Sequence, residues 1–179
     1  MTALFNRMPL ADFLAMAEAT AQQRIESLTL ASWTGPEGPL NDMQLAADLL
    51  PVPVPPTADW ASRTVDVRPF VKWDRYQMEA VVSWPATGDL WFNRPDRYMI
   101  GTGPFTGVKS NRLECRIRGR GLSGPGIDSV AAVFQRQMQK NIDATTQQWD
   151  QWLTDALTRL TADIAVWRGQ LLDADALTA

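Results

Sequence analysis

The residues with the strongest claim to chemistry are arginines. Arg112, Arg116 and Arg118 alternate with apolar residues, with Glu114 among them and Arg120 just beyond, and in an extended strand residues two apart point to the same side of the sheet. Leu113, Cys115 and Ile117 then share the opposite, apolar side. Joined by Lys109, Arg94 and Arg97 from neighbouring turns, such a row suits nucleic-acid backbone, because guanidinium and ammonium groups neutralise phosphates. Trp73, Trp91 or Tyr98, if exposed, would add stacking for single strands. The alternative is a solvated or internally paired face, and the sequence pI of about 4.9 favours it.

Two glycine-rich stretches invite comparison with phosphate-binding loops. Gly119-Arg120-Gly121-Leu122-Ser123-Gly124 has the G-x-G-x-x-G spacing between an expected strand and an expected helix, as the dinucleotide fingerprint requires. No second strand with a terminal acidic group follows, so nucleotide binding at this loop is a minor alternative; an isolated anion at the helix N-terminus is a weaker one. Gly103-Pro104-Phe105-Thr106-Gly107-Val108-Lys109-Ser110 fails as a P-loop, since Val108 separates Gly107 from Lys109 and a strand follows. Cys115 is the only cysteine, and there is no histidine. That removes the usual general base of nucleophilic triads and the commonest zinc ligand. Only Lys72, Lys109 and Lys140 are present, and none has an acidic residue two positions before it, so the (D/E)-x-K core of many nucleases is missing. The expectation is a chain that is not an enzyme, with no catalytic residues, metal or cofactor, and with Cys115 as an inert core thiol.

The elements that must position these residues fall into three segments. Residues 1–57 form a helical N-terminal segment and a proline-rich crossover. Leu10, Phe13, Leu14, Ala17, Ala21, Ile25 and Leu28 recur at helical spacing. Asn41 or Asp42 can cap a short helix to Leu50, and Pro51-Val52-Pro53-Val54-Pro55-Pro56 ends it as an extended spacer. Residues 58–126 form an antiparallel β region. Val65, Val67, Val71 and Trp73 alternate with charged residues, and after a turn near Asp74 and Arg75 the alternation resumes with Tyr76, Met78, Ala80, Val82 and Trp84, a hairpin. Further strands are expected at Leu90–Phe92, Tyr98–Ile100 and Leu113–Arg118. Residues 127–179 form a long C-terminal helix capped by Asp128 or Ser129. Together the segments make one α+β domain: a small, mainly antiparallel sheet packed on the N-terminal helix, with a very long C-terminal helix.

That last helix carries an apolar stripe through Phe134, Met138, Ile142, Trp149, Leu153, Leu157, Leu160, Ile164, Trp167 and Leu171. From Ser129 to Leu172 it would run ~66 Å, against a diameter of ~40 Å for a compact chain of this size. Projection is expected, and Trp149, Leu153, Leu157, Leu160, Ile164, Trp167 and Leu171 become the expected partner interface. Trp149, Trp152 and Trp167 suit packing on the sheet, on the first helix or against another copy. The alternative to one long helix is a helical hairpin turning near Thr145 and Thr146. Charge is also uneven. Residues 1–60 carry 2 basic and 7 acidic groups, residues 61–120 carry 11 and 6, and residues 121–179 carry 4 and 7. A basic middle flanked by acidic ends suits an anionic partner or docking between copies. No stretch has the length of a membrane span and the N-terminus lacks a signal-peptide pattern, so a cytoplasmic protein without membrane contact is expected.

From Thr87-Gly88-Asp89 onward, with Phe92, Arg94-Pro95, Pro104, Gly107, Asn111, Leu113, Arg116 and Ile117, then the helix ending Asp163-Ile164-Ala165-Val166-Trp167-Arg168-Gly169-Gln170-Leu171, about half the chain resembles the N-terminal, non-catalytic module of bacterial restriction-endonuclease-like defence proteins. The resemblance implies an accessory assembly or sensing subunit of an antiphage defence complex. It implies protein–protein and nucleic-acid contacts, as a homo-oligomer or with a separate effector polypeptide, because no residue stands for the nuclease active site. The alternative of another class is a structural subunit of a phage or secretion-type assembly.

Overall fold

The computed structural model describes residues 8–35, 38–72, 75–92, 106–109 and 111–178. Helix α1 (Leu10–Ile25) is followed by a 3₁₀ turn (Leu30–Trp33), a two-residue hairpin of β1 (Thr34–Gly35) and β2 (Gly38–Pro39), and helix α2 (Asp42–Leu49). Strands β3 (Thr57–Ala58), β4 (Thr64–Lys72) and β5 (Arg75–Thr87) come next. A second 3₁₀ turn (Leu90–Phe92) precedes β6 (Thr106–Lys109), β7 (Arg112–Gly119) and the 55-residue helix α3 (Gly124–Thr178). The α+β class with an N-terminal helix, antiparallel sheet and long C-terminal helix is the observed one.

Alternation at period two builds the hairpin of β4 and β5 in a register from Thr64 opposite Ser83 to Lys72 opposite Arg75. β7 takes the other edge of β5, from Met78 opposite Gly119 to Pro85 opposite Arg112, and β6 lies beyond it. The order across the sheet is β4-β5-β7-β6, with β3 pairing the last two residues of β5. The turn at Asp74 and the strand at Tyr98–Ile100 lie outside the described residues. The strand expected at Leu90–Phe92 is instead a 3₁₀ turn, in which Leu90 and Trp91 are buried and the Trp91 indole N–H donates to Thr87 O at 2.9 Å. Three apolar-rich residues do not decide between a strand and a single buried turn.

The proline run is docked on its own chain. Pro53 and Pro56 are buried. Between them Val54 N donates to Asp89 Oδ2 at 3.1 Å, and Asp89 N donates to Val54 O at 2.8 Å. Gly88 makes the approach possible: it has φ +111°, and a Cβ there would collide with the Pro55 carbonyl. Asn111 takes a φ of 59° immediately before β7, a left-handed conformation that asparagine tolerates.

The described residues form two apolar clusters, and the chain divides into two compact units, Met1–Leu10 with Pro53–Gln148, and Ala11–Val52 with Trp149–Ala179. In the first unit the inner face of β5 and β7 is covered by the first part of α3. Ile127, Ala131, Phe134, Met138 and Ile142, three or four apart, close over Ala80, Val82, Trp84, Leu113, Cys115 and Ile117. Trp84 stacks on Phe134 at 5.6 Å and receives Trp60 edge-on at 5.3 Å. In the second unit Ala21 and Ile25 of α1 meet Leu45, Ala46, Ala156, Leu160 and Ile164. Asn41 caps α2 reciprocally: Gln44 N donates to Asn41 Oδ1 and Asn41 N to Gln44 Oε1, both at 2.8 Å.

α3 starts four residues earlier than the expected cap. Ser123 serves there: Gly126 N donates to its Oγ at 3.3 Å and Ile127 N to its carbonyl at 2.9 Å. Pro125 is accepted in the first turn, where its missing N–H would have no helical partner. The helix continues without a break through Thr145 and Thr146. No helix of the described residues is long and apolar enough to cross a membrane.

Candidate functional site

The two faces of the sheet have different fates, and register settles which residue belongs to which. Partners across an antiparallel ladder share a face. Arg112, Glu114, Arg116 and Arg118 lie opposite Pro85, Ser83, Val81 and Glu79, which in turn face Thr64, Asp66 and Arg68 of β4. This is the outer, charged face. Glu79 is its centre, with a side chain only 2% exposed. It receives Arg68 through Nε at 3.1 Å and Nη2 at 2.8 Å on one oxygen, and Arg118 Nε at 2.8 Å on the other. The Arg118 guanidinium also lies 4.0 Å from the centre of the Phe70 ring. Burial alone would raise the Glu79 pKa, but the hydrogen bonds from Arg68 and Arg118 outweigh it and hold the carboxyl below its ordinary value.

The arginine row therefore exists but is largely committed. Arg116 Nη2 bonds Glu114 at 2.7 Å, and Arg112 donates to Ser83 Oγ and Thr64 Oγ1 at 3.1 and 2.8 Å. Arg120 is exposed beyond the strand. Lys109 is on β6, and Arg97, with Arg94, Trp73 and Tyr98, lies outside the described residues. Trp91, one of the expected stacking residues, is buried in the core. Cys115 is fully buried, which pushes its thiol up to about 12. The Gly119–Gly124 loop joins β7 to α3, and every ladder among the described residues is antiparallel. A parallel βαβ unit, which the dinucleotide fingerprint needs, is absent among them.

The apolar stripe of α3 assigned to a partner is turned inward on its own unit. Leu160 and Ile164 are fully buried, and Leu153, Leu157, Trp167 and Leu171 pack against the same cluster. Polar contacts tie the helix down as well. The Trp167 indole N–H donates to Leu28 O at 3.1 Å, Arg168 Nη2 reaches Asp42 Oδ2 at 3.1 Å, and Arg159 forks onto both oxygens of Glu18 at 2.7 and 2.8 Å. The hydrogen bond from Arg159 holds the Glu18 carboxyl below its usual value against partial desolvation. Trp149 is half-buried. The length of the helix gave no sign of this, because the residues that cover the stripe come from α1 and α2, more than a hundred positions away.

Among the described residues, what remains uncovered is β4. Val65 and Val67 lie opposite Val82 and Ala80, so they belong to the inner, apolar face. Val82 and Ala80 are fully buried beneath α3, whereas Val65, Val67 and Val71 are 43%, 48% and 57% exposed, and Tyr76, opposite Val71, is 81% exposed. No residue of β4 joins the core cluster. Among the described residues β4 pairs only with β5, which leaves a nine-residue edge with an exposed apolar row beside it. Such an edge is a template for another strand, and natural proteins usually shorten or shield it. The sequence does contain a signal for this strand: Pro69, inside a run of alternating valines, marks an edge, since proline has no N–H for a central ladder. No family model, characterised protein or solved structure matches the chain.

Proposed function

We propose that this protein is a non-enzymatic assembly subunit whose working surface is the open β4 edge, acting within a bacterial antiphage defence complex. The exposed valine row of β4 carries the reading. Val65 and Val67 stand opposite the fully buried Val82 and Ala80, and Val71 opposite the exposed Tyr76; apolar residues left open beside a strand edge with no partner among the described residues are completed by association. The defence setting rests on the resemblance to the non-catalytic modules of restriction-endonuclease-like proteins. Within it, the chain positions or senses and a separate polypeptide supplies any chemistry. Nucleic-acid contact has weaker support, because Glu79 and Glu114 offset three of the arginines on the outer face.

The test is purification of the tagged protein from its source cells, wild type beside Val67→Lys, with mass spectrometry of co-eluting chains. Stoichiometric recovery of a nuclease, ATPase or other effector by the wild type, lost in Val67→Lys, is expected. A partner retained unchanged by Val67→Lys, with self-association unchanged as well, would remove β4 from the interface. Recovery of a large homo-oligomer alone would favour the structural-assembly reading.

A further inference from the structure

The β4 edge is complementary to itself. Pro69 is accepted in the ladder because its nitrogen side faces away from β5. Backbone direction alternates along a strand, so Val65, Val67 and Val71 also turn their N–H and C=O groups to the open edge. Antiparallel pairing of two copies about a two-fold axis through Val67 sets Val67 against the partner's Val67, Asp66 against the partner's Arg68, and Val65 against the partner's Pro69. The Val67 and Val65–Pro69 pairs then fall on one face and the Asp66–Arg68 pairs on the other, while farther out Val71 meets the partner's Arg63 and Phe70 the partner's Thr64. Val65 keeps an N–H for the carbonyl of the partner's Pro69. Neighbouring two-fold registers are worse. An axis through Asp66 or Arg68 places like charges directly opposite each other, which is destabilising, and an axis through Pro69 puts two residues without N–H groups at the centre.

Resting on the reading of β4 as a docking surface, we infer that the occupant of this edge is β4 of a second copy of the chain, in the Val67-centred register. The two sheets then form one continuous antiparallel sheet, and the exposed valines of each copy extend the apolar face of the other. The contact is isologous: the same patch serves both copies, with each Asp66–Arg68 pair occurring twice. Arg68 is half-exposed while bonded to Glu79, which leaves part of its guanidinium open to the partner's Asp66.

The buried Cys115 makes a test possible with single introduced thiols. Val67→Cys places two thiols directly opposite one another, with Cβ atoms about 5 Å apart, and a short bifunctional thiol cross-linker should join the full-length variant into a covalent dimer. Val71→Cys puts its pair eight residues out of register, about 27 Å apart, and should give none. In solution the wild type should show a concentration-dependent monomer–dimer equilibrium by sedimentation. Asp66→Arg, which sets an arginine against the partner's Arg68, should weaken it roughly tenfold or more. A wild type that stays monomeric, or Val71→Cys cross-linking as efficiently as Val67→Cys, would overturn the proposal. If the wild type is monomeric but Val67→Lys still abolishes capture of an effector, the second copy is ruled out while the docking edge stands. If Val67→Lys affects neither self-association nor capture, both readings fall.

Discussion

β4 and β7 flank the same strand and are written in the same pattern, apolar residues alternating with charged ones, yet they end in opposite states. The inner residues of β7, Leu113, Cys115 and Ile117, are buried under α3, and the inner residues of β4, Val65, Val67 and Val71, are open to solvent. The difference arises not in the strands but in what lies over them, since Ile127, Ala131, Phe134, Met138 and Ile142 close over β5 and β7 and include no contact partner on β4. Alternation guarantees that one face of a strand is apolar. Whether that face is covered by its own chain or left for another depends on where the helix that follows β7 comes to lie.

Substitutions can break this comparison or sharpen it. The largest effect is expected at Trp84, whose ring is held between Trp60 and Phe134: Trp84→Ala should cost about 3 to 5 kcal/mol in chemical denaturation. Leu113→Ala, fully buried on β7, should cost about 3 kcal/mol. Glu79→Gln should cost about 1 to 3 kcal/mol, because it weakens charge-assisted bonds to Arg68 and Arg118 in a buried site. Its pH dependence has a defined sign. A carboxyl whose folded pKa is depressed contributes fully above its ordinary value of 4.5 and loses that contribution as pH falls through the folded value. The melting temperatures of wild type and Glu79→Gln should therefore differ at neutral pH and converge on acidification. The smallest effect is expected on β4: Val67→Thr should change the stability of the isolated chain by less than about 0.5 kcal/mol. A loss at Val67 as large as that at Leu113, measured at low concentration, would mean that β4 is covered by its own chain after all.

Much of the local structure was legible. The hairpin of β4 and β5, the strand β7, α1 and the Asn41-capped α2 follow from periodicity and capping residues. The misreadings share one physical origin. Leu90–Phe92 was too short a run for its period to separate strand from 3₁₀ turn, and the start of α3 turned on Ser123, a cap that reaches past Pro125. Long-range choices were harder. Nothing in the spacing of Leu160 and Ile164 chooses α1 and α2 over another copy as their cover, and although alternation sets Glu114 beside Arg116, nothing says that Glu79 of another strand holds Arg118. The candidate site was least visible of all, because Val65 and Val67 look like core residues until the helix over the sheet is located. Pro69 alone hinted at the edge.

The most direct measurement is hydrogen exchange of the β4 amides in the intact protein across a dilution series. Val65, Val67 and Val71 direct their N–H groups to the open edge, so their exchange should slow as concentration rises, while the β7 amides that pair with β5 stay unchanged. Fast exchange at those three valines at every concentration, with no added partner able to slow it, would contradict the assignment of β4 as the surface on which this protein assembles.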